Sequence, residues 1–382
     1  MPVNLSRRDF LSASVLATAA LSGQRLLAAQ DTRPQSVYAG NIIIEGLGGP
    51  EMDGGALSAA ALADVRASGL SAAHLTVGEV GGMAPLAAFE KIVRSIASWE
   101  AEIDRHPEVL MRVRAATDIA AAKRAGRTGL IYGLQDGVAF EDDLDRLSAL
   151  HQLGIRVIQP TYNRRNLLGD GCMEPADAGL SRTGIEAIER LNATGILVDL
   201  SHCGRRTAAD AIAASKRPVA FTHSGCAAVA EHPRHRTDAE LRAVAESGGV
   251  VGIFIMPYLA RGKQPTAADV IAHIEHALRI AGSEHVSIGT DGYISPTRLT
   301  PEFIEKFREI TRGRKAAGIA APDETEEGYL FANDLNTPRR FETLGELLLA
   351  RGHSADTVAK VLGGNLLRVF GAAWQSLKAR PA

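Results

Sequence analysis

Short apolar runs recur along this chain, and a segment with helical spacing follows most of them. The runs are NIIIEG (41–46), SAAHLTVG (71–78), GLIYGLQDG (129–137), RVIQPTYN (156–163), GILVDLSH (195–202), PVAFTHSG (218–225), GGVVGIFIMP (248–257) and HVSIGTDG (285–292). Between them lie LSAAALADVRASG, a long helical region ending near residue 106, FEDDLDRLSALHQLG, SRTGIEAIERLNATG, GRRTAADAIAASK and TAADVIAHIEHALRIAG. Strands alternating with helices are predicted to run parallel, which puts the chain in the α/β class. Eight such strands predict a closed (β/α)8 TIM barrel, with an open doubly wound sheet as the alternative. Beyond residue 300 the pattern gives a charged segment and additional C-terminal helices, ending in VLGGNLLRVF.

Two of the runs end on histidine, His202 and His223, and a single helical segment separates them. One histidine at the end of a buried strand is ordinarily a hydrogen-bonded core residue. Two of them across one strand–helix–strand unit fall at the same, C-terminal end of neighbouring parallel strands, where α/β folds place their sites. The other strand ends offer Glu45, Gln135, Tyr162 and Asp291 to the same mouth. Two imidazoles and a carboxylate are suitable ligands for one metal ion with open positions. Asp291 can instead be a base, or merely a turn or cap residue.

Charge and composition narrow the classes. The 382 residues carry a net charge of −2, and neither a basic stripe nor a charged block points to nucleic acid. At the N-terminus, SRRDFL (Ser6 to Leu11) precedes a modest apolar stretch. This reads as a twin-arginine export signal over residues 1–30, too short to span a bilayer, with cleavage near Ala29. Residues 31–382 are then a single barrel domain, and the expected location is the periplasm or beyond. The three cysteines, Cys172, Cys203 and Cys226, are no disulfide framework. Cys203 and Cys226 follow the two histidines closely and are read as packing residues, either of which could approach a metal.

Taken together, VDLSH, THSG with the following HPR, IGTD and GGNLLRVF resemble the membrane (renal) dipeptidase family over about residues 40–375. The resemblance implies a zinc-dependent barrel of the amidohydrolase type. It implies that His202 and His223 hold one zinc, that Arg234 contacts substrate, and that Asp291 handles the proton of the leaving amine. The chain departs from the family on the other side of the mouth. Leu47 and Gly49 stand where a metal-binding His and Asp are expected, Gln135 where a Glu bridges two metals, and Tyr162 where a His helps bind the oxyanion. An uncharged amide is a poor bridge between dications, so Gln135 is a weak ligand at best. At most one Zn²⁺ per chain is expected, unless Glu45 or Asp53 replaces the missing ligands. The expected function is metal-dependent hydrolysis of a dipeptide or related small amide, with Tyr162 or Arg234 stabilising the oxyanion. The alternatives are an elimination or isomerisation in the same pocket, or an inactive binding protein on the same scaffold. The loop YNRRNLLGDGCMEP is either part of a substrate site or a solvated surface loop. The expected partner is a small peptide-like molecule, with a second copy of the chain as the candidate protein partner.

Overall fold

The computed structural model describes residues 36–52 and 54–375. The export signal and Asp53 lie outside the described residues. Eight parallel strands form the frame: β1 (Ile44–Glu45), β2 (Ala72–Thr76), β3 (Thr128–Leu134), β4 (Ile155–Ile158), β5 (Leu197–Val198), β6 (Ala220–Cys226), β7 (Val250–Ile253) and β8 (Val286–Ile288). Regular ladders join β1 through β5 in order, and β6 through β8 in order. Two seams close the ring. At the first, Asp199 bridges Ala220 in parallel and Leu200 N–H donates to the Ala220 carbonyl at 2.7 Å. At the second, Gly46 N–H donates to the Ile288 carbonyl at 3.0 Å. The eight apolar runs are thus the eight strands of a TIM barrel. The run 195–202 forms regular ladder only at Leu197–Val198, because residues beyond Asp199 turn out of the sheet to carry His202. An additional short strand, Leu110–Arg112, flanks β3, and the helix Ala116–Arg124 follows it.

Helix boundaries follow local chemistry. Ser58 caps Ala59–Ser68 and Ser181 caps Arg182–Thr194; each helix ends on a left-handed glycine, Gly69 and Gly195. After β8 the chain continues through the helix Pro301–Ala316, a loop and the helix Arg340–Ala350, and ends its described part with Asn365–Ala373.

The inside of the barrel is layered. Ile44, Ala72, Ile131, Val157, Leu197, Ala220 and Val250 form an apolar layer that Leu366, Val369 and Phe370 of the last helix plug from the N-terminal end. Two residues further along the same strands stand Gly46, His74, Gly133, Gln159, Asp199, Thr222 and Gly252. Strand alternation gives them the same face. The second layer is therefore polar or empty of side chain, and its four polar members are buried. Glycine is required here by close approach. A Cβ at Gly133 would lie 2.0 Å from His74 Nε2, and one at Gly252 would lie 1.9 Å from the Thr222 carbonyl oxygen. This polar layer is the floor on which the mouth of the barrel is built.

Candidate metal and catalytic site

His202 and His223 meet at the C-terminal mouth, with their Nε2 atoms 3.1 Å apart and both rings buried. Each Nδ1 has its own acceptor. His202 Nδ1 faces Asn163 Oδ1 at 2.6 Å, and the Asn163 amide is oriented because its Nδ2 donates to the Ile319 carbonyl at 2.9 Å. His223 Nδ1 faces Thr222 Oγ1 at 2.8 Å, and that hydroxyl donates to Asp199 Oδ2 at 2.6 Å. With its hydrogen committed to a carboxylate, the Thr222 hydroxyl can only accept from His223. Both rings are therefore Nδ1–H tautomers, and two Nε2 lone pairs point at one another. Burial first, and the Arg234 guanidinium second, hold both imidazoles well below the usual histidine range, which disfavours a shared proton. A metal cation is the electron-pair acceptor that suits this arrangement. Two nitrogens at about 2.0–2.1 Å from a tetrahedral ion stand roughly 3.3 Å apart, close to the observed separation. The pair fits two coordination positions of one ion. Among the described residues no group of three His, Cys, Asp or Glu is arranged to hold a metal.

The backbone that carries the histidines is braced by two arginines. Arg234 donates from Nε to the Ser201 carbonyl at 3.3 Å and from Nη2 to the His223 carbonyl at 3.1 Å. Arg236 donates to the carbonyls of Ser201 and Cys203 at 2.7 and 3.0 Å. The sequence singled out Arg234 for substrate; the structure places it between both histidine segments, its charge lowering the pKa of Asp291 as well.

Tyr162 stacks on the His202 ring, with centroids 4.1 Å apart, and its hydroxyl accepts from Arg314 Nη2 at 3.4 Å. Asp291 sits at the rim with φ +59°, and its N–H donates to the Leu47 carbonyl at 2.7 Å. Burial pushes its carboxyl up to about 6, against the opposing pull of Arg234 and Arg314. The shared charges of Arg234 and Arg314 on Asp291, Tyr162 and His202 put these groups in one electrostatic neighbourhood.

The opposite side is differently furnished. Leu47 is buried and Gly49 has no side chain. Gln135 Nε2 donates to Thr76 Oγ1 on β2 at 2.8 Å. Glu45 is fully engaged at the β1–β8 seam: Oε1 accepts from Thr290 N–H at 2.6 Å and Leu47 N–H at 3.2 Å, and Oε2 from the Thr290 hydroxyl at 2.6 Å. These bonds fasten the β1–β8 seam. Cys203 and Cys226 are buried free thiols bonded to Thr161 and to the His273 carbonyl, as packing residues would be. Cys172, in the polar loop after β4, reaches Asn163 Oδ1 at 3.4 Å.

The residues that sequence reasoning missed are the supporting ones: Asn163, Thr222, Asp199, Arg236 and Arg314. A period-two reading of AAHLT could have found His74, whose Nδ1 meets the Gly46 carbonyl at 2.6 Å and whose Nε2 has no partner.

Comparison with known proteins bears on family and fold. The sequence profile of the membrane dipeptidase family (peptidase family M19) matches residues 50–312. Dipeptidase verJ of Clonostachys rogersoniana is 30% identical over 270 residues, which is 70% of this chain and 61% of that protein. The chain thus matches less than two thirds of the length of that curated relative. The crystal structure of an amidohydrolase from Pseudomonas aeruginosa is 33% identical and superposes with a TM-score of 0.76, covering 88% of this chain and 98% of its own. A metallopeptidase from Rhodobacter sphaeroides, solved with a phosphinate mimic of the dipeptide L-Ala-D-Ala, shares the fold at 18% identity and a TM-score of 0.71, covering 87% of this chain and 100% of its own.

Proposed function

The chain belongs to the membrane dipeptidase family, and on that premise we propose that it hydrolyses a dipeptide or related small amide with one divalent metal ion held by His202 and His223. The observation that carries the reading is the pair of opposed Nε2 lone pairs, each fixed by an acceptor on the far side of its ring. Imidazole donors suit zinc, which when bound supplies an acidified water and Lewis-acid polarisation of the amide carbonyl. The chain's own groups do the rest. The Tyr162 hydroxyl, accepting from Arg314, has its proton left to donate to the carbonyl oxygen as charge develops there. Arg234 adds positive potential on the same side. Asp291, with a carboxyl near pH 6, takes a proton from the attacking water and returns it to the leaving amine.

The limited ligand set supports one ion rather than two, and weak turnover of plain dipeptides. It also favours a second reading, a metal-free binding protein for peptide-like molecules. Metal analysis of the purified protein, followed by dipeptide hydrolysis with added zinc or cobalt, separates them. One equivalent of metal and slow, metal-dependent turnover is the expected result. Two zincs per chain, or robust dipeptide turnover, would mean that ligands lie elsewhere; no metal at any concentration selects the binder. The paired arginines of SRRDFL support export through the twin-arginine route to the periplasm. No helix among the described residues is long and apolar enough to cross a membrane.

A further inference from the structure

The segment from Arg314 to Glu324, at the end of the helix Pro301–Ala316 and in the loop after it, lies across the mouth as a strap. Its backbone and side chains are fastened to the residues that follow β4 and to the rim beyond β6 and β7. The Ala317 carbonyl accepts from Arg164 Nη1 at 3.0 Å, the Ile319 carbonyl from Asn163 Nδ2 at 2.9 Å, and the Pro322 carbonyl from His232 Nε2 at 2.9 Å. Inside the strap, Arg314 pairs with Glu324 through two nitrogens, and Glu324 also accepts from Ala321 N–H at 3.0 Å and the Tyr258 hydroxyl at 3.5 Å.

One of these fastenings has a chemical direction. An asparagine amide can face either way, and only its neighbours decide. With a carbonyl fixed at Ile319, the NH2 group must face the strap, and the oxygen must face His202. Reversal would set oxygen against oxygen at one end and N–H against N–H at the other. Asn163 is buried, and its Oδ1, which the Cys172 thiol meets only at 3.4 Å, lies within 2.6 Å of His202 Nδ1, so the ring proton has a close acceptor. We propose that Asn163 is a positioning residue that holds His202 as the Nδ1–H tautomer, and that the 314–324 strap, through the Ile319 carbonyl, is what aims Asn163. Metal-holding capacity at His202 is thereby coupled to the docking of a segment more than a hundred residues away in sequence. This inference rests on the proposed metal role of His202 for its consequence, but not for its geometry. Outer partners of this kind typically change metal affinity by about 10–100-fold.

The test reads the tautomer directly. Two-dimensional ¹⁵N–¹H correlation of the full chain labelled at histidine, metal-free, distinguishes Nδ1–H from Nε2–H imidazole. The wild-type protein should show His202 as Nδ1–H, and an Nε2–H signal there overturns the proposal whatever any variant does. Asn163→Leu should give a mixture of tautomers and weaken Co²⁺ binding, followed by its visible absorption, by about 10–100-fold. Asn163→Asp keeps an acceptor and should keep the tautomer. Arg314→Met, which loosens the strap and leaves Asn163 in place, should give a smaller shift in the same direction. An Asn163→Leu protein with pure Nδ1–H and unchanged cobalt affinity refutes the role of Asn163; an Arg314→Met protein indistinguishable from wild type refutes the role of the strap. A wild-type protein that shows the tautomer and binds no cobalt would remove the metal reading and leave the positioning inference standing.

Discussion

On the β5–β6 side of the mouth, each histidine has an acceptor of its own behind the ring, and two arginines brace the backbone that carries it. On the β1–β3 side, the corresponding strand ends carry a leucine, a glycine and a glutamine whose amide is tied to the neighbouring strand. The two sides are built on one sheet with continuous strand order. What differs is whether the outer polar groups have anything to orient. Where imidazoles remain, the hydrogen bonds that fix their tautomers remain with them. Where the ligand types are absent, the buried carboxylate of Glu45 is engaged in holding the barrel shut. Side chains on one side of the mouth can therefore differ without disturbing the other, because each side has separate supports.

The sharpest break in that contrast is on the furnished side. His223→Ala should abolish stoichiometric cobalt binding and, with it, any metal-dependent hydrolysis. Titration by visible absorption and initial rates check it, and unchanged binding would move the ligand set elsewhere. The next effect concerns the closed seam. Burial pushes the Glu45 carboxyl up from 4.5 to about 7, above its unfolded value, so the folded state binds the extra proton. Stability contributed by the neutral form is then lost as pH rises from about 4.5 to about 7, and Asp291, raised to about 6, acts in the same direction. Glu45→Gln keeps acceptor and shape, and should flatten this slope, with a gain of up to about 3 kcal/mol at pH 8. Urea unfolding from pH 4.5 to 8 measures it; parallel profiles for the two proteins would show that Glu45 titrates normally.

A smaller change is expected in the polar floor. Gly133→Ala drives a methyl into His74 and should cost about 1–3 kcal/mol, read as a lowered Tm, with Gly133→Ala/His74→Ala recovering part of it. The least change in number, a second ion per chain, comes from refurnishing the bare side. The triple variant Leu47→His, Gly49→Asp, Gln135→Glu should raise zinc content from one to two by elemental analysis. It must first accommodate a Cβ at position 49 only 3.1 Å from Leu75 Cβ, so some loss of stability accompanies it. A triple variant that folds and still holds one zinc would show that the side has lost its geometry as well as its ligands.

Much of the frame was legible because it repeats. Each strand is a short apolar run, and the alternation with helices leaves few topologies. His202 and His223 were legible for the same reason, as two copies of one pattern. Leu110–Arg112 was not, since three residues on the edge of β3 give too little periodicity to stand out. The supporting residues were hidden for a different reason. Asn163 meets Ile319 across a separation of 156 residues, and nothing in the local composition of TYNRRNLL marks its third residue as the one that matters. Thr222 and Asp199 belong to the interior layer, and that layer can be drawn only once the strands have a register. Sequence patterns reveal what is periodic or repeated; the groups that aim a side chain are neither.

The strap and the plugging helix share one property: both come after the last strand. A nascent chain that has just released β8 from the ribosome has all eight strands, with neither Phe370 beneath them nor Ile319 above. Its floor end is open to water, and Asn163 is free to turn its amide either way. The mouth is complete only once the final quarter of the chain is in place. A ribosome-bound intermediate whose emerged part ends near residue 300 should have barrel strands and no competent pair of imidazoles.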